Sequence, residues 1–287
     1  MRVLVTGATG FLGRHVLALR PAGHEVEAFV RASSDLSRLP PGLRVRKGDL
    51  GDPDSLTRAL EGADAVVNLA SLGFGHAPGI VEACRRVRLE RALFIGTTAV
   101  FTKLPAASKA VRLEAERLVR ESGLPWTLLR PTMMYGTPGD RNIWRLIRFL
   151  RWSPVAPLPG GGRGLHQPVF VEDAAKAVWA ALERPAAVGK AYNLAGARAL
   201  TLEEMVGTVA RLLGRKVAVV PVPSALAVAG AALARAVPFL PRVTREQILR
   251  LGEDKTVDLG PAREGLGFEP LDFEAGVARE LEWTSAS

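Results

Sequence analysis

At 287 residues the chain has room for one large α/β domain and a smaller lobe, and with 48% of its residues apolar and 23% charged it excludes a mainly disordered protein. A single cysteine, Cys84, excludes an internal disulfide, and four scattered histidines, His15, His24, His76 and His166, offer no metal-ligand spacing, so no metal is expected. The net charge of +9 raises nucleic acid as a partner, but the basic residues are mostly arginines spread along the chain without interleaved aromatics, which makes a nucleic-acid surface the weakest reading. The opening Met-Arg-Val-Leu-Val-Thr-Gly enters a strand directly, with no pattern for export, and the expected setting is reducing and cytoplasmic.

In chain order, short apolar runs alternate with amphipathic stretches, the pattern of β-α-β units in a parallel sheet. Strands are predicted near 2–6, 25–30, 43–47, 64–70, 92–97 and 126–130, and helices at 11–20, 53–61, 78–88 and 108–122. Asp52 and Pro53 supply the cap and first turn of the second helix. The fourth places Val111, Ala115, Leu118 and Val119 on one face and stops at Gly123. Past Arg130-Pro131 the rhythm changes to a helix near 141–151, a Pro/Gly-rich loop through Gly164, and a strand and helix at 168–183. A strand near 190–194 precedes Thr201 and Glu204, a capping box that opens a helix to about Leu213. The apolar stretch from Val222 to Leu240 is interrupted by Arg235 and prolines and is a poor bilayer span, so a packed helix is expected there, with a membrane-contacting helix as the alternative. These elements predict a Rossmann-type doubly wound sheet over residues 1–195, with an insertion at about 136–165 forming a substrate wall, and a smaller, mainly helical lobe over 196–287.

The sharpest motif is Thr6-Gly7-Ala8-Thr9-Gly10-Phe11-Leu12-Gly13, between the first strand and the first helix. One glycine permits the tight turn, a second lets backbone amides approach a pyrophosphate, and a third allows close helix–strand packing. The helix N-terminus then offers unsatisfied N–H groups and partial positive charge to the anion. Gly7, Thr9, Gly10, Phe11, Leu12 and Gly13 are therefore the expected core of a dinucleotide site.

With this turn stand Gly48-Asp49-Leu50 after the third strand, Asn68-Leu69-Ala70 at the fourth, Arg130-Pro131-Thr132 at the sixth and Val171-Glu172-Asp173 before a helix. Over nearly its whole length the chain resembles the extended short-chain dehydrogenase/reductase family, in the group of NAD-dependent epimerases and dehydratases. The resemblance implies that Asp49 contacts the adenine amino group with Leu50 beside it, that Ala70 lines the cofactor, and that Pro131 lies near the nicotinamide carboxamide. It also implies hydride transfer on a carbonyl/alcohol pair, as in a reductase or a sugar epimerase, with the substrate entering between the two domains. Relatives pair helices equivalent to 78–88 and 108–122 in dimers, so a homodimer is one expectation.

At the end of the second strand, Phe29-Val30-Arg31 carries no acid for the ribose hydroxyls of NAD. Arg31, helped by Arg14, Ser33 or Ser34, can instead pair with the 2′-phosphate of NADP, because a guanidinium matches phosphate oxygens in bidentate fashion. NADP is the expected cofactor, with NAD as the alternative.

The resemblance implies a tyrosine acid/base, a lysine four residues later and a Ser/Thr on the preceding strand. Thr98 and Lys109 match two of the three, but the tyrosine position is Pro105, which has no proton to exchange. The candidates left for the proton are Tyr135, Lys103 and His76, among which the sequence does not choose. Lys109 could bind the nicotinamide ribose and Thr98 a substrate oxygen. His76 and His166, the latter with Gln167, are candidate substrate contacts. Arg141, Arg145 and Arg148 give the helix near 141–151 a basic face that could meet a phosphate-bearing substrate, an anionic membrane or only solvent. The loss of the tyrosine leaves a second reading, a non-catalytic NADP(H)-binding regulator or structural subunit.

Overall fold

The computed structural model describes residues 1–234 and 244–285, which divide into two compact units. The first comprises Met1–Thr132, Val171–Leu194 and Asp258–Pro270; the second comprises Met133–Phe170, Ala195–Val257 and Leu271–Ser287.

The first unit is built on strands β1 (Arg2–Thr6), β2 (Glu25–Val30), β3 (Arg44–Lys47), β4 (Ala65–Asn68), β5 (Arg91–Ile95) and β6 (Trp126–Pro131), joined by a seventh strand at Lys190–Leu194. All pair in parallel, in the order 190–194, β6, β5, β4, β1, β2, β3. Strands covered on both faces are apolar almost throughout, as Val3, Leu4 and Val5 of β1 and Ala65, Val66 and Val67 of β4 show. Alternation sends Leu4, Phe29, Val66, Phe94 and Leu128 into one core with helices α2 (Pro53–Leu60), α3 (Ala77–Arg86) and α4 (Ala107–Arg120). Helix α1 (Phe11–Ala18) packs with the helix Val171–Glu183, where Trp179 Nε1 donates to the Val16 carbonyl at 2.8 Å. Strand order reverses between β1 and β4, so the loops after Thr6 and Asn68 bound the crevice where such sheets bind ligands.

The second unit has its own core, in which Tyr135, Ile147, Leu150, Phe170, Met205, Val209, Phe273 and Val277 are buried together. Its helices include Ile143–Trp152 and Leu202–Leu212, the latter closed by the Thr201/Glu204 capping box. The stretch expected as a loop through Gly164 contains a strand, Val155–Pro159, paired in parallel with Ala218–Val222. Proline cannot donate to a ladder and reads as a breaker; a two-stranded ribbon tolerates it because each strand has a free edge. Of the apolar stretch Val222–Leu240, Ser224–Ala234 is helical, and 235–240 lie outside the described residues. Among the described residues no helix is long and apolar enough to cross a membrane.

Candidate dinucleotide site

Gly7 follows β1 with φ +66°, a left-handed conformation that side chains disfavour, and a Cβ there would lie 2.7 Å from the backbone nitrogen of Ala70. Gly10 N donates to the Gly7 carbonyl at 2.9 Å, and a Cβ on Gly13 would run into that same carbonyl oxygen. Gly7 and Gly13 are thus required by contacts, a Cβ on Gly10 would sit a tight 3.0 Å from the Gly7 carbonyl oxygen, and Ala70 forms the opposite wall. That wall is fixed from below: buried Thr6 Oγ1 donates to Asn68 Oδ1 at 2.6 Å, and Asn68 Nδ2 donates to the Ala70 carbonyl at 3.0 Å. The N-terminus of α1 has no side-chain cap and no acid in its first turn, so Phe11, Leu12 and Gly13 present backbone N–H groups that no local carboxylate satisfies. A pyrophosphate fits this cradle.

Asp49 is exposed at the end of β3; its Oδ1 accepts from Gly51 N at 2.8 Å, and Leu50 beside it is half-buried. His76 precedes α3, with its Cε1 4.0 Å from where a Cβ of Gly51 would sit, which places it at the Asp49 turn. Arg31 is exposed just past β2 and forms no ion pair with a described residue. On α1, Arg14 Nε is buried without a hydrogen-bond partner among the described residues. An orphaned guanidinium nitrogen on the residue that follows Gly13 is what an added anion would complete.

Thr98 opens a short 3-10 turn after β5, and its hydroxyl donates to the Pro131 carbonyl at a long 3.5 Å. Lys109 lies in the first turn of α4, and its Nζ donates to the Thr102 carbonyl at 2.6 Å. An open recess is lined by Lys103, Leu104, Pro105, Ala106, Lys109 and Leu113.

Three other candidates stand in the second unit. Tyr135 is fully buried, its ring against Phe170 and Phe273 and its hydroxyl 3.4 Å from the Phe273 carbonyl. His166 is buried, with Nε2 3.2 Å from the Leu251 carbonyl, and burial followed by the charge of Lys255 holds its pKa below the usual histidine value. Gln167 clamps two backbones, donating to the Gly196 carbonyl at 2.8 Å and accepting from Val257 N at 3.2 Å.

A family model described as NAD(P)H-binding matches residues 7–146. The chain is 31% identical to the (4-alkanoyl-5-oxo-2,5-dihydrofuran-3-yl)methyl phosphate reductase of Streptomyces griseus, over 74% of each chain. The chain belongs to the extended short-chain dehydrogenase/reductase family. It is also 27% identical to the 2-alkyl-3-oxoalkanoate reductase of Stenotrophomonas maltophilia over the full length of both chains. In fold it is similar to a nucleoside-diphosphate-sugar epimerase of Pseudomonas aeruginosa, with a TM-score of 0.79, 24% identity and coverage of 100% and 98% of the two chains.

Where the resemblance implies the family's tyrosine, this short-chain dehydrogenase/reductase carries Pro105. Pro105 stands before α4 begins, whereas Lys109 is within it. Sequence reasoning passed over the partner of Arg130. This side chain of β6 is buried and forms a two-pronged ion pair with Glu116 of α4, Nε to Oε1 at 2.8 Å and Nη2 to Oε2 at 2.5 Å. Its guanidinium also lies 5.4 Å over the Phe101 ring. The signal was an acid seven residues, two helical turns, beyond Lys109, but only the fold brings it to β6.

Proposed function

We propose that this protein is an NADP(H)-dependent reductase that transfers a hydride between the nicotinamide and a carbonyl/alcohol pair on a small substrate. The observation that carries the cofactor preference is the pair of uncommitted cations at the end of β2 and on α1: Arg31 where an NAD binder offers an acid, and Arg14 with its orphaned Nε. A charge-assisted bond to a 2′-phosphate contributes about 1.5–3 kcal/mol, roughly a tenfold to hundredfold preference. The reductases among the relatives support turnover over a non-catalytic role.

The residues divide the work by position. The Gly7–Gly13 turn and the amides of α1 hold the pyrophosphate, Asp49 and Leu50 receive the adenine, and Ala70 and Pro131 line the path toward the nicotinamide, which supplies the hydride when bound. Lys109 holds the ribose. The long bond from Thr98 Oγ1 to Pro131 leaves that hydroxyl able to turn toward a substrate oxygen. Of the proton candidates, Lys103 shares the recess with Lys109, whereas His76 stands at the Asp49 turn and the hydroxyl of Tyr135 is enclosed by the core of the second unit. This supports Lys103 as the donor.

The test is an equilibrium titration with NADPH and with NADH at fixed salt. Tighter NADPH binding is expected, and Arg31→Ala should remove most of the difference. Equal affinities in the unaltered protein would overturn the NADP assignment. A substrate panel then follows NADPH oxidation. Lys103→Met is expected to lower kcat and shift its pH profile, whereas an unchanged profile would return the proton to solvent.

A further inference from the structure

We propose that the second unit carries a surface that seats the protein on an anionic lipid bilayer. In the parallel ribbon, Val155 stands opposite Ala218 and Pro157 opposite Val220, and all four are exposed, while the alternating Ala156 and Leu158 point into the core. The outward face of this ribbon is therefore apolar. At one end the ribbon runs through Val222 and Pro223 into the helix Ser224–Ala234, which contains no charged residue and exposes Leu226 by 64%. At the other end, the last turn of the helix Ile143–Trp152 exposes Phe149 and leaves Trp152 86% accessible.

The two segments that frame this face carry cations and no acid of their own. Arg141, Arg145 and Arg148, with Arg215 and Lys216 just before the second strand, are exposed and form no ion pair with a described residue. The sequence has no Asp or Glu between Arg141 and His166, nor between Met205 and Arg245. A second copy seated here would bring these cations face to face, because a two-fold contact buries the same patch from both sides. A bilayer with acidic headgroups complements the whole pattern: arginines meet phosphates, Trp152 sits at the interface, and the aliphatic ribbon and helix enter the acyl boundary. The eleven-residue helix is about 16 Å long against a hydrocarbon core of about 30 Å, so the contact is in-plane.

The test is co-sedimentation of the full chain with vesicles of phosphatidylcholine alone and of phosphatidylcholine mixed with phosphatidylglycerol, at low and high salt. Sedimentation is expected with the mixed vesicles, weakened by salt. Each of Arg145→Gln and Arg148→Gln should lower partitioning about fivefold. Leu226→Glu should abolish binding without moving the thermal midpoint, and the blue shift of tryptophan emission on binding should shrink in Trp152→Phe. Absence of sedimentation with the mixed vesicles would overturn the proposal, as would equal sedimentation of Leu226→Glu. Self-association that Leu226→Glu abolishes would also overturn it, by assigning the face to a second copy.

Discussion

Gly13 and Gly7 meet at one carbonyl oxygen, and that contact sets how closely α1 can approach β1. Gly13→Ala should separate them, costing about 1–3 kcal/mol of stability as an overpacked site does, with a larger loss in NADPH affinity than in folding. Parallel thermal melts and cofactor titrations would separate the two effects. The glycines were legible in the sequence because their requirement is local: a tight turn and a helix start written in eight consecutive residues. Arg31 drew notice for a similar reason, as the residue standing where an acid was due, and the paired NADPH and NADH titrations decide its role. The orphaned Nε of Arg14 was not, since being buried without a partner depends on what the fold places around it.

The helix α4 owes its placement to a charged pair as well as to its apolar stripe. Arg130 and Glu116 are buried and joined by three hydrogen bonds, so Glu116→Gln leaves a guanidinium without its counter-charge. A loss of about 3–5 kcal/mol is expected in chemical denaturation, while replacing both partners by apolar residues should cost much less. Because α4 also carries Lys109, the single variant should weaken cofactor binding more than Thr201→Ala, which removes a helix cap of the second unit worth about 1 kcal/mol. Elements of the first unit matched their sequence signals because periodicity, caps and breakers agreed, as at Asp52, Pro53 and Gly123. The ribbon at 155–159 did not, because Pro154, Pro157 and Pro159 argue against a strand until a partner 63 residues further on, Ala218–Val222, is known to pair with it.

Across the whole molecule, buried Glu280 and half-buried His15 set opposing limits on stability with pH. Glu280 is fully buried, and burial followed by the neighbouring Asp140 pushes its pKa from 4.5 to about 9. The folded protein retains that proton longer than the unfolded chain, so stability falls as pH rises from 4.5 toward 9. His15 is shifted the other way, from 6.5 to about 4, by burial and then by Arg14. The unfolded chain protonates first, so stability falls as pH drops from 6.5 toward 4. Melting curves across this range should show Glu280→Gln flattening the alkaline limb and leaving the acidic one. A different constraint follows from the path of the chain, which enters the first unit three times, at Met1, Val171 and Asp258. The strand at Lys190–Leu194 completes the sheet beside β6, and Thr132 N waits for the carbonyl of Leu194. During synthesis, the sheet therefore stays open along β6 until the ribosome has released some sixty further residues, the interval in which a nascent chain of this topology most needs a chaperone.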